Sequence, residues 1–241
     1  MNWEEFFQAL ARLRKGLLQT SIVLLLLGAI IFPFSRTLLK HLQNTNLRGN
    51  LIAFTVPEAF FSLLKLTFYT SIFFCIPVIF YQVWKSLIPL LRNKGLKSGL
   101  PVFLTALLLF YVGAFFCYFV TLPFGVQFLL EYQSVHLKPM ISVSNYVSFC
   151  AAFIFGFGLT FELPLLLALL SYIKVVKAAF LTRNRRYAIL LIAITAATIT
   201  PTPDIFNMAL MGGPLYILFE TGVFLVKIIE RKRLELGRLS G

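Results

Sequence analysis

Long apolar runs separated by short polar connectors dominate the chain. They fall at about residues 16–34, 60–84, 100–122, 146–172, 187–200 and 205–226. A helix needs about 20 apolar residues to cross a hydrocarbon core of roughly 30 Å. The pattern therefore predicts six transmembrane helices. The fifth run is short: residues 187–200 rise only about 21 Å as a helix. The sixth is interrupted by Gly212, Gly213 and Pro214. A short pair of spans thins the bilayer beside it or draws water in. Ahead of the first run, Trp3, Phe6, Phe7, Leu10, Leu13 and Leu17 recur at helical spacing, which predicts a surface helix leading into the first span. That span is expected to remain in place, because no small-residue cleavage site follows it. The connectors at about 35–59 and 121–145 exceed a tight turn and predict a cap with short helices of its own.

Cations set the orientation. Arg12, Arg14 and Lys15 precede the first run, and Lys85, Arg92, Lys94 and Lys97 follow the second. Lys174, Lys177, Arg183, Arg185 and Arg186 follow the fourth, and Lys227, Arg231, Lys232, Arg233 and Arg238 follow the sixth. That places seventeen basic residues on one side, against Arg36, Lys40, Arg48 and Lys138 on the other. Basic connectors stay on the cytoplasmic side, so both termini are expected there. The alternation also requires an even number of spans.

Composition agrees. Of 241 residues, 59% are hydrophobic and 13% charged, with mean hydropathy +0.87, whereas a soluble domain carries about 25% charged residues. The expected fold is an all-α integral membrane protein forming one domain over residues 1–241. The net charge of +13 does not indicate nucleic acid, because the cations cluster between apolar runs. Cys75, Cys117 and Cys150 lie within those runs without metal or disulfide spacing. His41 and His136 fall in the outer connectors. No nucleophile stands with a base inside a span, so neither an enzyme nor a metal or cofactor site is indicated.

Ionisable residues at membrane depth are costly, by roughly 2.5–3.5 kcal/mol on insertion scales, and so are informative. Glu162 lies deep in the fourth run between Gly156, Gly158 and Pro164. Proline bends a helix, so a carboxyl at a kink is expected, serving either a wet groove or a structural contact. Lys65 either snorkels outward or pairs with Glu58. Gln82 and Trp84 close the second run near the inner interface. Glu220, beyond Pro214, is expected to make a polar contact between helices, and Asp204 to cap the sixth helix.

These residues in this order resemble the TatC family, the polytopic component of the twin-arginine protein translocase. Pro57-Glu58-Ala59-Phe60-Phe61 with Lys65 is similar to the family's entry into its second helix, in the outer cap. Tyr81-Gln82-Val83-Trp84 with Pro89 is similar to that helix's cytoplasmic end. Gly113, Phe116, Tyr118 and Pro123 resemble the third helix, and Phe155-Gly156 through Glu162-Leu163-Pro164 the motif around the intramembrane glutamate. Arg185-Arg186-Tyr187, Thr200-Pro201-Thr202-Pro203-Asp204, Pro214-Leu215-Tyr216 and Glu220 fit the last two helices. The resemblance implies a glove-shaped six-helix bundle that receives folded cargo through its signal peptide. It also implies TatA- and TatB-like single-span partners at the fifth and sixth helices, further TatC copies, and no cofactor. It points to the bacterial cytoplasmic membrane, with thylakoid or mitochondrial inner membranes as alternatives.

Two positions depart from the family. Arg12 stands where its members carry a glutamate, and Gly95 replaces a second acid after Pro89-Leu90. Those acids are the family's seat for the signal's arginine pair. A carboxylate reads guanidinium bidentately, and Arg12 with Arg14 repels it instead. The resemblance therefore implies altered signal recognition. Backbone carbonyls or Gln82 are the alternative readers of the signal, and Trp84, Glu162, Pro164, Asp204 and Glu220 complete the candidate site. The rival function is a secondary transporter or proton channel relaying through Glu162 and Glu220.

Overall fold

The computed structural model describes residues 3–46, 51–92, 99–131, 141–199 and 205–239. It is helical apart from one short strand pair. The helices are α1 (Trp3–Ile31), α2 (Ser35–Asn46), α3 (Val56–Arg92), α4 (Leu100–Phe116), α5 (Leu122–Glu131), α6 (Val143–Phe161), α7 (Leu163–Tyr172), α8 (Ala178–Arg183), α9 (Arg185–Ile199) and α10 (Ile205–Leu239). Strands β1 (Leu51–Ile52) and β2 (Ile141–Ser142) pair in parallel. Among the described residues, five helical stretches are long and apolar enough to cross a membrane: Gly16–Asn44, Pro57–Lys85, Leu100–Gln127, Val143–Tyr172 and Gly212–Arg233. The fifth predicted run forms α9, whose 15 residues rise about 22 Å, short of the core.

The expected outer segments do carry short helices. Ser35–Asn46 and Leu122–Glu131 are helical, and a one-turn 3₁₀ segment over Phe32–Phe34 joins α1 to α2. The third run does not end near residue 122. A π-helical turn over Cys117–Thr121 carries α4 into α5. Pro123 has no amide to continue the ladder, and the wider turn accommodates the lost bond. The sixth run is not interrupted either: α10 is continuous, with Pro214 inside it. In lipid, backbone hydrogen bonds have no water to compete with them, and neighbouring helices tolerate such residues. The helix also extends past the predicted end at residue 226, through a charged stretch, to Leu239.

The chain forms two compact units. The first comprises residues 1–107 and 122–155. In it α1 packs along α3, and α2 packs on α3 and α5. Leu66, Val143 and Val147 form a buried cluster flanked by Leu38, Leu39 and Leu42. The second comprises residues 108–121 and 156–241. There α10 is the hub, packing on α7, α8 and α9 around buried Phe219, Val223 and Val226. Two reciprocal contacts lock α4 to the end of α6. A Cβ on Gly113 would lie 2.6 Å from Phe161, and one on Gly158 would lie 2.6 Å from Phe110.

Candidate functional site

The broken helix around Glu162 is the main site in the second unit. α6 stops at Phe161 and α7 starts at Leu163, with Glu162 between them. The Glu162 amide donates to the Leu159 carbonyl at 3.1 Å, a tightened turn, and the helix resumes with the Leu166 amide on the Glu162 carbonyl at 2.9 Å. Pro164, in the first turn of α7, cannot donate to a carbonyl behind it, so the break sits where the sequence put it. The Glu162 carboxylate caps nothing, and its Oε1 is buried with no hydrogen-bond partner among the described residues. A buried polar atom left unmet costs on the order of 1–3 kcal/mol.

Glu220 is engaged from two sides. Arg185 Nη2 lies 3.0 Å from its Oε2, and the Tyr216 hydroxyl donates to its Oε1 at 3.2 Å. This is the expected interhelical polar contact, made between α9 and α10.

Further along α10, two residues hold the connector between α7 and α8. Arg233 Nη2 donates to the carbonyls of Ser171 and Tyr172, at 3.1 and 3.0 Å, capping the end of α7. Glu230 Oε1 accepts the amide of Ala178 at 3.0 Å, at the start of α8. Between them the chain closes α7 with Val175 donating to Leu170 and Lys174 to Ser171. Lys174 takes the left-handed backbone (φ 66°) that glycine usually fills. Sequence reasoning missed this pair because Arg233 reads as one cation in a topogenic cluster. The available signal was the Glu230–Arg233 spacing, one turn apart on one face.

In the first unit, α1 and α3 bring Gln19 and Gln82 together, with Gln82 Nε2 donating to Gln19 Oε1 at 3.0 Å. Gly16 lies close beneath them: a Cβ there would lie 2.9 Å from Gln82 Oε1, and the Gln82 side chain would have to shift. Arg12 and Arg14 fall in α1, within about one turn of Gly16. Trp84 closes the apolar stretch of α3 packed inside the protein. It is buried, and Gly99 lies so close that a Cβ would meet the indole at 2.7 Å. Gly95, Asp204 and His136 lie outside the described residues.

At the other end of α3, Glu58 staples the segments that carry β1 and β2. Its Oε2 accepts the Phe54 amide at 2.7 Å, and its Oε1 accepts the Ser142 hydroxyl at 2.5 Å. Ser142 in turn accepts the Asn145 amide at 3.2 Å, as an N-cap of α6 does. Glu58 thereby ties the end of β1 to the end of β2. It does not pair with Lys65, whose Nζ donates to Ser144 at 2.7 Å. Seven residues separate the two on one helix, two turns apart and beyond the neighbouring spacings. Pro57 and Phe60 are exposed in the same first turns, with the Phe60 ring edge-on to Phe61. Ser142→Ala is expected to speed amide exchange at 51–54 and 141–145 and leave α9 and α10 unchanged. Unchanged exchange at the strand pair would remove the staple.

Residues 8–214 match the family model described as Sec-independent protein translocase protein (TatC). The chain is 34% identical over 231 residues to the Sec-independent protein translocase protein TatC of Carboxydothermus hydrogenoformans, covering 94% of each. It is 32% identical over 221 residues to that of Escherichia coli, covering 89% of this chain and 85% of that one. A crystal structure of the twin arginine translocase receptor TatC superposes with a TM-score of 0.78 at 31% identity. That match covers 91% of this chain and 98% of the other.

Proposed function

The chain belongs to the TatC family, membrane components of Sec-independent protein translocation that are not enzymes, and from that premise we propose that it is the receptor and scaffold subunit of a translocase exporting folded proteins. The observation that carries the reading is the broken helix at Glu162, a partnerless carboxylate oxygen kept at membrane depth within a TatC-like fold. We propose six crossings with both termini on the cytoplasmic side of a bacterial inner membrane. The seventeen-to-four distribution of cations supports this, and α9 serves as the short fifth crossing. The partners are TatA- and TatB-like single-span proteins, signal peptides of folded cargo, and further copies of this chain.

The inner ends of α1 and α3 form the signal-docking patch in this reading. Arg12, Arg14 and Gly95 leave it without the two acids that would grip a guanidinium pair, and the Gln19–Gln82 amides are what it offers instead. Supplied to a bacterium lacking its own TatC, the chain is expected to export a folded reporter weakly. Arg12→Glu with Gly95→Glu is expected to raise crosslinking to a twin-arginine signal peptide about tenfold, matching about 1.4 kcal/mol for a charge-assisted contact. Unchanged or lower crosslinking would count against the patch. No export by either form would count against the receptor reading.

A further inference from the structure

Within the unit of residues 108–121 and 156–241, a groove of about 450 Å³ lies between the α6–α7 break, α9 and α10. Leu159 and Leu163 form one wall, Leu191 and Ile192 the second, and Leu215 and Phe219 the third. Leu159 and Leu191 are 60% and 64% exposed, so the groove opens outward. Its two hydroxyls are already used: Thr160 donates to the Gly156 carbonyl at 2.7 Å, and Thr195 to that of Leu191 at 2.8 Å. A polar ligand finds no partner there, whereas a saturated hydrocarbon chain matches every surface.

One end of the groove is charged. Its α9 positions 188, 191, 192 and 195 form a single stripe, and one turn back along that stripe stands Arg185. Its bond to Glu220 uses one of five guanidinium donors. Lys227 lies seven residues beyond Glu220, on the same side of α10, and is exposed. Residues 174–186, which lead into α9, carry five basic residues and no acid. Basic pockets between transmembrane helices on the cytoplasmic side suit anionic headgroups.

We propose that the groove holds one acyl chain of an anionic phospholipid whose phosphate lies against Arg185 and Lys227. The proposal stands apart from the export reading, because a bound lipid is measured whether or not cargo moves. The test places the photocrosslinker p-benzoylphenylalanine at Leu191 in the full chain. The protein is reconstituted in vesicles of equal phosphatidylglycerol and phosphatidylcholine, and intact mass is read after illumination. The expected adduct is one phospholipid, with phosphatidylglycerol about fivefold in excess, the ratio that roughly 1 kcal/mol gives for one interfacial cation, Lys227, since the charge of Arg185 is already offset by Glu220. Lys227→Gln, which leaves the Arg185–Glu220 pair in place, is expected to bring the ratio back to that of the vesicle. Leu159→Trp, at an exposed wall position, is expected to abolish the adduct by filling the groove. Equal adducts of the two lipids in the unsubstituted rim, or a ratio indifferent to Lys227→Gln, would overturn the proposal. Crosslinking to a second copy of the chain would assign the groove to self-association instead. An apolar single-span peptide that crosslinks to position 191 while the lipid adduct persists undiminished would show the lipid to be elsewhere.

Discussion

Gly113→Val is expected to lower the thermal midpoint of the purified protein by roughly 4–12 °C, corresponding to about 2–3 kcal/mol for a chain of this size. A Cβ at position 113 would stand 2.6 Å from Phe161 Cγ and 2.8 Å from the carbonyl oxygen of Phe157. A flexible side-chain end could move aside; a helix backbone cannot do so cheaply. Phe157 is buried and Phe116 is close to both rings, so repacking has nowhere to go. Gly213→Ala is the matched control. No atom lies within 4 Å of a Cβ there, and alanine is expected to raise the midpoint slightly through helix propensity, by about 0.5–1 kcal/mol. Scanning detergent-solubilised protein checks both. If the two substitutions shift the midpoint alike, the close approach of α4 and α6 is not what holds them.

The second large effect falls on function. Glu162→Gln keeps the volume and a polar tip at the break but cannot ionise. It is expected to insert and fold normally and to lose export by at least about tenfold, or about 1.4 kcal/mol at the limiting step. Glu162→Leu sharpens the contrast. The Oε1 of Glu162 is buried without a partner, and an apolar side chain of similar size removes the cost of that unmet atom, so this variant is expected to melt higher than the parent while exporting nothing. Such an opposition is the signature of a residue kept for activity. Full export by the glutamine variant, or a lower melting point for the leucine variant, would return Glu162 to a structural role. The measurements are the export rate of a folded reporter and the melting midpoint of the same preparation.

Much of this was legible in the chain. The long spans were, because lipid demands runs of a length and composition that nothing else in a polypeptide imitates. The break at Glu162 was, because Pro164 removes a specific donor and a carboxyl is too costly at that depth to sit there by chance. The short α9 was, because its run is counted directly. Contacts between distant segments were not. Glu58 and Ser142 are 84 positions apart, and two-residue strands leave no periodicity to find. Lys65 beside Glu58 offered a nearer partner on paper, yet helical geometry separates them by two turns. The burial of Trp84 was not legible either, because Gly99, which folds over its ring, lies fifteen positions away. Pro214 read as an interruption because the rules for water were applied to a helix whose backbone bonds are protected. The π turn at Cys117–Thr121 has no signature beyond Pro123, which equally fits a helix start.

A pull on the C-terminal end of the chain does not stop at α10. Arg233 grips the last carbonyls of α7 and Glu230 the first amide of α8. Tension therefore enters residues 173–177, where Lys174 already stands in a cramped backbone. Anything fastened behind Leu239 acts as a handle on that stretch. A stiff fusion wrenches it, and a slack tether leaves it at rest.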